Sequence, residues 1–261
     1  VAGPLVVERR GERGEVALWT VSRPEAKNAL DAATFDALAS ALAAASADAT
    51  LRAIVLTGAG DTFVSGGDLR ELRTATTDAD AERLADLGGA LCDAIGRLAV
   101  PVIAALPGAA IGGGAELATA CDLRVAEERA TVCFKHARMG VTTAWGVLPK
   151  LVALVGHGAA SRLLLTGADL TARDALAVGL VDAVAEDGGG VDLAVAWALE
   201  VAKAAPRATA SLKALLRETV DASGSLRATE RERFVATWTS DDHEEAVEAF
   251  FARRPPRWTG R

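Results

Sequence analysis

Residues 98–118, LAVPVIAALPGAAIGGGAELA, form the most hydrophobic passage of a 261-residue chain, yet they hold Pro101, Pro107 and the run Gly112, Gly113, Gly114. Proline removes a backbone donor and clashes with the preceding turn, and glycine costs about 1 kcal/mol against alanine inside a helix. A membrane-spanning helix is therefore a poor reading of this stretch. A short buried strand, a turn and a helix that begins at the glycines accommodates every residue in it. Strand running into helix is the pattern of an alternating α/β chain, and Glu116, the one carboxylate in the passage, then falls in the first or second turn of that helix.

The same alternation recurs along the chain. EVALWTV (15–21) alternates and is rich in β formers, while RAIVLTG (52–58), VPVIAAL (100–106), ATVCF (130–134) and VGLVDAVA (178–185) are short apolar runs that predict strands. Between them, AATFDALASALAAASAD (32–48) spaces its apolar residues three and four apart, with Asp31 at the N-cap position, and 148–167 reads as helical turns around a glycine-marked corner. Beyond the turn-rich EDGGGVD (186–192) the pattern is helical almost to the end, where PPRWTG stops it. The expected fold class is α/β, with residues 1–190 as the core and 191–261 as a C-terminal helical region. Phe234, Trp238, Phe250 and Phe251 sit at helical spacings there, which suits packing within the chain or against a neighbouring subunit.

Composition narrows the partners. With 51% hydrophobic and 24% charged residues the chain is globular in character, and at this length folding buries roughly three quarters of the extended-chain surface. A net charge of −7 with scattered basic residues argues against nucleic acid or an anionic membrane as partner. Cys92, Cys121 and Cys133 are odd in number and lack a CxxC spacing, which fits small buried hydrophobes in a reducing compartment and no metal site. Residues 1–15 contain no long apolar run with a cleavage pattern, so a cytoplasmic location without a secretory signal is expected.

Two glycine-framed segments carry the candidate chemistry. In DTFVSGGDLREL (61–72), Gly66 and Gly67 permit tight backbone geometry, Asp68 suits a helix cap, and the N–H groups around Ser65 are left pointing outward. In 109–122 the spacing fits neither a dinucleotide fingerprint nor a phosphate-binding loop, but three glycines entering a helix leave free N–H donors at its positive end. Two such donors converging on one carbonyl oxygen suit a thioester, whose oxygen becomes anionic when a proton leaves the α carbon or a nucleophile adds at the β carbon. An acid or base must then stand beside the carbon skeleton. Glu116 is the first candidate. His136 is the second: it follows an apolar strand and precedes a glycine corner, whereas His157 lies in a GHG loop and His243 at a polar helix start.

These segments, taken in order, closely resemble the crotonase (enoyl-CoA hydratase/isomerase) superfamily over nearly the whole chain. SRPEAKNAL (22–30), TFVSGGDLREL (62–72), LPGAAIGGGAELATACDLRVA (106–126), MGVTTAWG (139–146), the LVG-containing segment and AFFARRPPRWTGR (249–261) all have counterparts there. The resemblance implies a crotonase-like ββα spiral with a helical C-terminal region that assembles as a homotrimer or a dimer of trimers. It implies backbone N–H groups of Ser65 and Gly113 as the oxyanion hole, Ala29, Gly67, Asp68 and Leu69 along the CoA adenine and pantetheine, and Lys27 on a CoA phosphate. The partner is then an acyl-CoA thioester, with CoA part of the substrate and no metal or redox cofactor.

Hydratases of this family use two glutamates. Glu116 matches the first, and His136 stands where the second would be. GGGAELATACD with FKHARMG and the following WG most resembles the branch that includes ethylmalonyl-CoA and methylmalonyl-CoA decarboxylases. Loss of CO2 leaves the electron pair behind, so the oxyanion hole and one acid suffice. The expectation is decarboxylation of a methylmalonyl- or ethylmalonyl-type CoA, with Glu116 and His136 catalytic and Trp145 walling the acyl pocket. The alternatives are an enoyl-CoA hydratase or isomerase acting on a short-chain enoyl-CoA, a non-catalytic acyl-CoA-binding or structural homologue and, more distantly, carbon–carbon hydrolysis of a diketone-like substrate.

Overall fold

A computed structural model of the chain describes residues 3–220 and 224–259, so the first two and last two residues of the quoted terminal segments lie outside the described residues. The main sheet contains β1 (Leu5–Arg10), β2 (Val16–Val21), β3 (Ala53–Gly58), β5 (Val102–Leu106), β7 (Leu123–Glu127) and β10 (Ala183–Ala185), in the order β1-β2-β3-β5-β7-β10. A second sheet orders β4 (Thr62–Val64), β6 (Ala109–Ile111), β8 (Thr131–Cys133) and β9 (Leu170–Thr171) as β4-β6-β8-β9. β1 pairs antiparallel with β2, and β2, β3, β5, β7 and β10 run parallel.

The helices are α1 (Ala32–Ala47), α2 (Leu69–Leu72), α3 (Asp78–Arg97), α4 (Gly113–Ala120), α5 (Leu148–Thr166), α6 (Ala172–Ala177), α7 (Gly190–Ala202), α8 (Pro206–Glu218), α9 (Gly224–Trp238) and α10 (Asp241–Phe251). Asp31 caps α1, accepting from the Thr34 N–H at 2.8 Å. Three successive turns follow: β3–β4–α3, β5–β6–α4 and β7–β8–α5, each placing one strand in either sheet and then a helix. This is the ββα spiral with a helical C-terminal region.

The alternation in β2 sorts its side chains between two cores instead of between core and solvent. Ala17, Trp19 and Val21 face the large cluster with Phe35, Leu38, Leu56 and Leu106; Val16 and Leu18 join Val55, Ile103, Val125 and α7 residues Ala194 and Ala198 on the other face. A parallel sheet covered on both sides accounts for the near-continuous apolar runs of β3 and β5.

Several local expectations differ from the structure. Residues 109–111, read as part of a turn, form β6, because Pro107 and Gly108 redirect the chain into the second sheet. Only 183–185 of the expected 178–185 strand pair with β7, since Gly179 at φ +81° turns the chain and Leu180 N–H donates back to Ala175. His157, expected in a loop, lies inside α5, where Gly156 at φ 75° absorbs the corner as a kink. α5 is long and apolar enough to cross a bilayer by length and composition, and it packs Leu151, Ala160 and Leu163 into the core while most of its surface stays uncovered. Phe234 and Trp238 are buried within the chain, whereas Phe250 is 55% and Phe251 41% exposed.

Candidate active site

The two glycine segments leave adjacent parallel strands of the second sheet. β4 and β6 pair at Thr62↔Ala109 and Val64↔Ala110, so Ser65 and Gly112 emerge at the same edge. Gly66 has φ +99°, and a Cβ there would lie 3.1 Å from the Ile111 carbonyl oxygen and 3.4 Å from the Gly113 nitrogen. A Cβ on Gly114 would sit 1.8 Å from the Val64 carbonyl oxygen. Backbone touches backbone here, which only glycine permits. Gly112, at φ 55°, is the N-cap of α4 and leaves Gly113 at the first helical position, where the N–H has no partner within the helix. Ser65 and Gly113 are both half-buried, and Gly66, the residue after Ser65, packs against the Gly113 nitrogen.

The far end of α4 is equally well defined. Lys150 Nζ donates to the Ala120 and Cys121 carbonyls at 2.9 and 2.6 Å, and buried Arg124 donates to Cys121 at 2.7 Å. Two cations on the last carbonyls complement the helix dipole that favours negative charge at Gly113. Burial pushes the Lys150 ammonium down to about 8, against the pull of Asp122.

Glu116 projects from the first turn of α4 and is 1% exposed. Its Oε2 lies 3.0 Å from His136 Nε2, and its Oε1 accepts the Trp145 backbone N–H at 3.1 Å. His136 belongs to a 3-10 turn, Lys135–Met139, directly after β8, the neighbour of β6; that adjacency closes a gap of twenty residues in sequence. His136 Nδ1 is buried and has no hydrogen-bond partner, the only such side-chain atom among the described residues. The two groups singled out from sequence are therefore brought together, with one imidazole nitrogen left without a hydrogen-bond partner.

Trp145 is buried edge-on against Phe35, with ring centroids 5.9 Å apart. A Cβ on Gly113 would lie 2.3 Å from its indole, and one on Gly88 of α3 would lie 2.0 Å from it. The ring thus fills the space between α3 and the start of α4. Lys27, Ala29, Gly67, Asp68 and Leu69 gather a short distance away: Leu30 N–H donates to Gly66 and Asp68 N–H to Leu30, at 2.8 and 3.0 Å. Ala29 is buried and Lys27 exposed; the Asp68 carboxylate caps α2 and pairs with Arg23, which also pairs with Asp31.

Sequence reasoning missed Glu230. It comes from α9, is buried, and accepts the Thr143 hydroxyl proton at 2.6 Å. Burial pushes its carboxyl above the usual range, as does the charge of Glu116, while Thr143, the Gly146 N–H and His136 pull the other way. The sequence signal was a glutamate on a helix face otherwise marked by Phe234 and Trp238. Among the described residues no group of three or more His, Cys, Asp or Glu is placed to hold a metal ion.

The family model for enoyl-CoA hydratase/isomerase matches residues 11–261. The chain belongs to the enoyl-CoA hydratase/isomerase family. It is 33% identical over 258 residues to a 2,3-dehydroadipyl-CoA hydratase of Escherichia coli, covering 98% of this chain and 99% of that one. It is 32% identical over 245 residues to a short-chain-enoyl-CoA hydratase of Clostridium acetobutylicum, covering 93% and 94%. A crystal structure of an enoyl-CoA hydratase/isomerase from Xanthobacter autotrophicus superposes with a TM-score of 0.88 at 27% identity, over 97% of this chain and 94% of that one. The family member described here is an enzyme acting on an acyl-CoA thioester. These relatives are hydratases, which moves the reading away from the decarboxylase branch that His136 suggested.

Proposed function

We propose that the protein is an enoyl-CoA hydratase that adds water across the double bond of a short enoyl thioester. The observation that carries this reading is the buried Glu116–His136 pair, 3.0 Å apart and with His136 Nδ1 unpartnered, its Glu116 on the same first helical turn as Gly113. Hydration needs two proton movements and one developing oxyanion, and this arrangement supplies a group for each. Glu116 takes a proton from water as the hydroxyl bonds to the β carbon. The electron pair of the double bond moves to the thioester oxygen, held by the Ser65 and Gly113 N–H groups. His136 returns a proton from Nδ1 to the α carbon, and exchange with solvent resets the pair.

Trp145 closes the acyl end of the pocket in this reading, and its contact with Gly113 favours short chains. The segments at Lys27–Ala29 and Gly67–Leu69 receive the CoA moiety. Exposed Leu212, Leu215 and Leu216 on α8, with Phe250 and Phe251, support residues 191–261 as the assembly surface of a homotrimer or a dimer of trimers. Decarboxylation of a malonyl-type thioester stays as the second reading because His136 replaces a carboxylate, and a proton donor beside an enolate is all that reaction asks of the pair.

Product analysis by mass spectrometry separates the two. Incubation with crotonyl-CoA is expected to add one water, and methylmalonyl-CoA is expected to remain intact. Glu116→Gln and His136→Gln are expected to lower hydration by about 10²–10⁴-fold. Loss of CO2 from methylmalonyl-CoA without hydration of crotonyl-CoA would replace the first reading by the second.

A further inference from the structure

Residues 140–146, which deliver the Trp145 N–H to Glu116, form no helix or strand and run between Gly140 at φ 69° and Gly146 at φ 75°. Such a segment holds its shape only through contacts made by other elements. Besides the packing of Trp145 between α3 and α4, one face of α9 makes several of them. Residues 227, 230 and 237 are spaced at three and seven, which aligns them on a single side of the helix. Thr142 N–H donates to Thr237 Oγ1 at 3.3 Å, Thr143 Oγ1 donates to Glu230 Oε1 at 2.6 Å, and Arg227 packs so closely on Gly146 that a Cβ there would lie 2.9 Å from Nε.

We propose that Glu230 is a positioning residue for the reaction at Glu116: its buried carboxyl locks the Thr143–Gly146 segment so that the Trp145 N–H meets Glu116 Oε1. The proposal rests on the reading that Glu116 takes part in catalysis. Both carboxylates are held by one short stretch, Glu116 by the Trp145 N–H and Glu230 by the Thr143 hydroxyl. Displacing Thr143 therefore displaces the donor on Glu116. Glu230 also lines a cavity of about 300 Å³ between α3, α5, α8 and α9, facing Asp93, Asp122, Lys150, Lys213 and Arg217. Asp93 is paired with Arg217 and Arg227, and Asp122 with Lys213. Glu230 has no cation partner among the described ion pairs; its binding partner is the Thr143 hydroxyl.

The test compares Glu230→Ala, Glu230→Gln and Thr143→Val in the full-length protein. Glu230→Ala is expected to lower kcat by about tenfold or more with KM changed less than about threefold, because a misplaced group beside the reacting atoms costs rate before affinity. Glu230→Gln keeps an oxygen that accepts from Thr143 and is expected to recover kcat to within about threefold, while the alkaline limb of the pH profile moves down by about half a unit once the neighbouring negative charge is gone. Thr143→Val is expected to reproduce the Ala loss, and the double variant to be no worse than either single one. A kcat within twofold of wild type in Glu230→Ala, a glutamine variant no better than alanine with an unmoved pH profile, or additive losses in the double variant would each overturn the proposal. A readout free of turnover accompanies it: the Glu230 carboxyl, followed by ¹³C NMR, is expected to titrate above the usual glutamate range and to move down in Glu116→Gln. If that shift occurs while Glu116→Gln keeps full activity, the catalytic reading of Glu116 fails and the contact survives; if the carboxyl titrates normally and does not move, the positioning proposal fails by itself.

Discussion

The glycine-built frame proposed as the oxyanion hole and the segment that carries His136 and Trp145 are built by opposite means. At Ser65–Gly67 and Gly112–Gly114, backbone packs on backbone between two paired strands, with Gly114 seated on the Val64 carbonyl. From His136 to Gly146, the chain is held by side chains reaching from the C-terminal helices: His243 Nδ1 to the Met139 carbonyl at 2.7 Å, Thr237 to the Thr142 N–H, and Glu230 to the Thr143 hydroxyl. The difference has a physical basis. A charge developing on one oxygen needs donors whose positions do not vary, and a sheet edge provides that. In the proposed reaction Glu116, His136 and Trp145 set which chemistry and which substrate are served, and a segment anchored by side chains changes with few substitutions.

The largest expected effect breaks the frame. Gly114→Ala places a methyl group on the Val64 carbonyl, which can retreat only by parting β4 from β6. Overpacking of this kind costs about 3 kcal/mol or more, so the variant is expected to lose its cooperative thermal transition or show it at a much lower temperature in calorimetry. A wild-type transition would mean that the frame is softer than its contacts imply.

A smaller effect tests where the two regions meet. Gly113→Ala also clashes, but with the Trp145 indole and not with backbone. It is expected to lower kcat/KM by about tenfold to a hundredfold, within the range for a disturbed oxyanion donor, and Trp145→Ala is expected to restore much of it while widening acceptance of longer acyl chains. Kinetics of the two single variants and the double variant over a series of enoyl-CoA lengths measure this coupling. Additive losses would remove the ring as the obstacle.

The smallest expected effect concerns acidity. Burial holds His243 below the usual imidazole range, partly offset by its bond to Met139. In the unfolded chain an imidazole titrates near 6.5, so below about that pH the unfolded state binds more protons and stability falls as pH falls. The thermal midpoint is expected to drop as pH goes from 7 toward 5, and His243→Gln to flatten part of that slope. An unchanged slope in the variant would assign the acid sensitivity to other groups.

Much of this protein is written locally. The apolar runs at 53–58 and 102–106, the capped helix after Asp31 and the triple glycine before Glu116 follow from periodicity, capping and backbone freedom, each decided within a few residues. Glu116 and His136 were legible as candidates because an ionisable side chain next to a buried strand or a glycine corner is costly without a purpose. The sequence did not separate decarboxylation from hydration, since both draw on the same enolate-stabilising frame and differ in what the pair does with a proton.

Tertiary structure alone decided the rest. The second sheet places β8 beside β6, and only that adjacency sets the His136 imidazole 3.0 Å from a carboxylate twenty residues away. Residues 109–111 became a strand because a parallel neighbour was present to satisfy their backbone groups, a condition no local pattern reveals. Glu230 is the clearest case. On α9 it reads as one more polar residue in a charged stretch, and its burial against Thr143, 87 positions earlier, depends on how α9 docks across α3 with Phe234 and Trp238 in the core. Helical periodicity specifies which residues share a face; what that face meets is set by packing between elements distant in sequence.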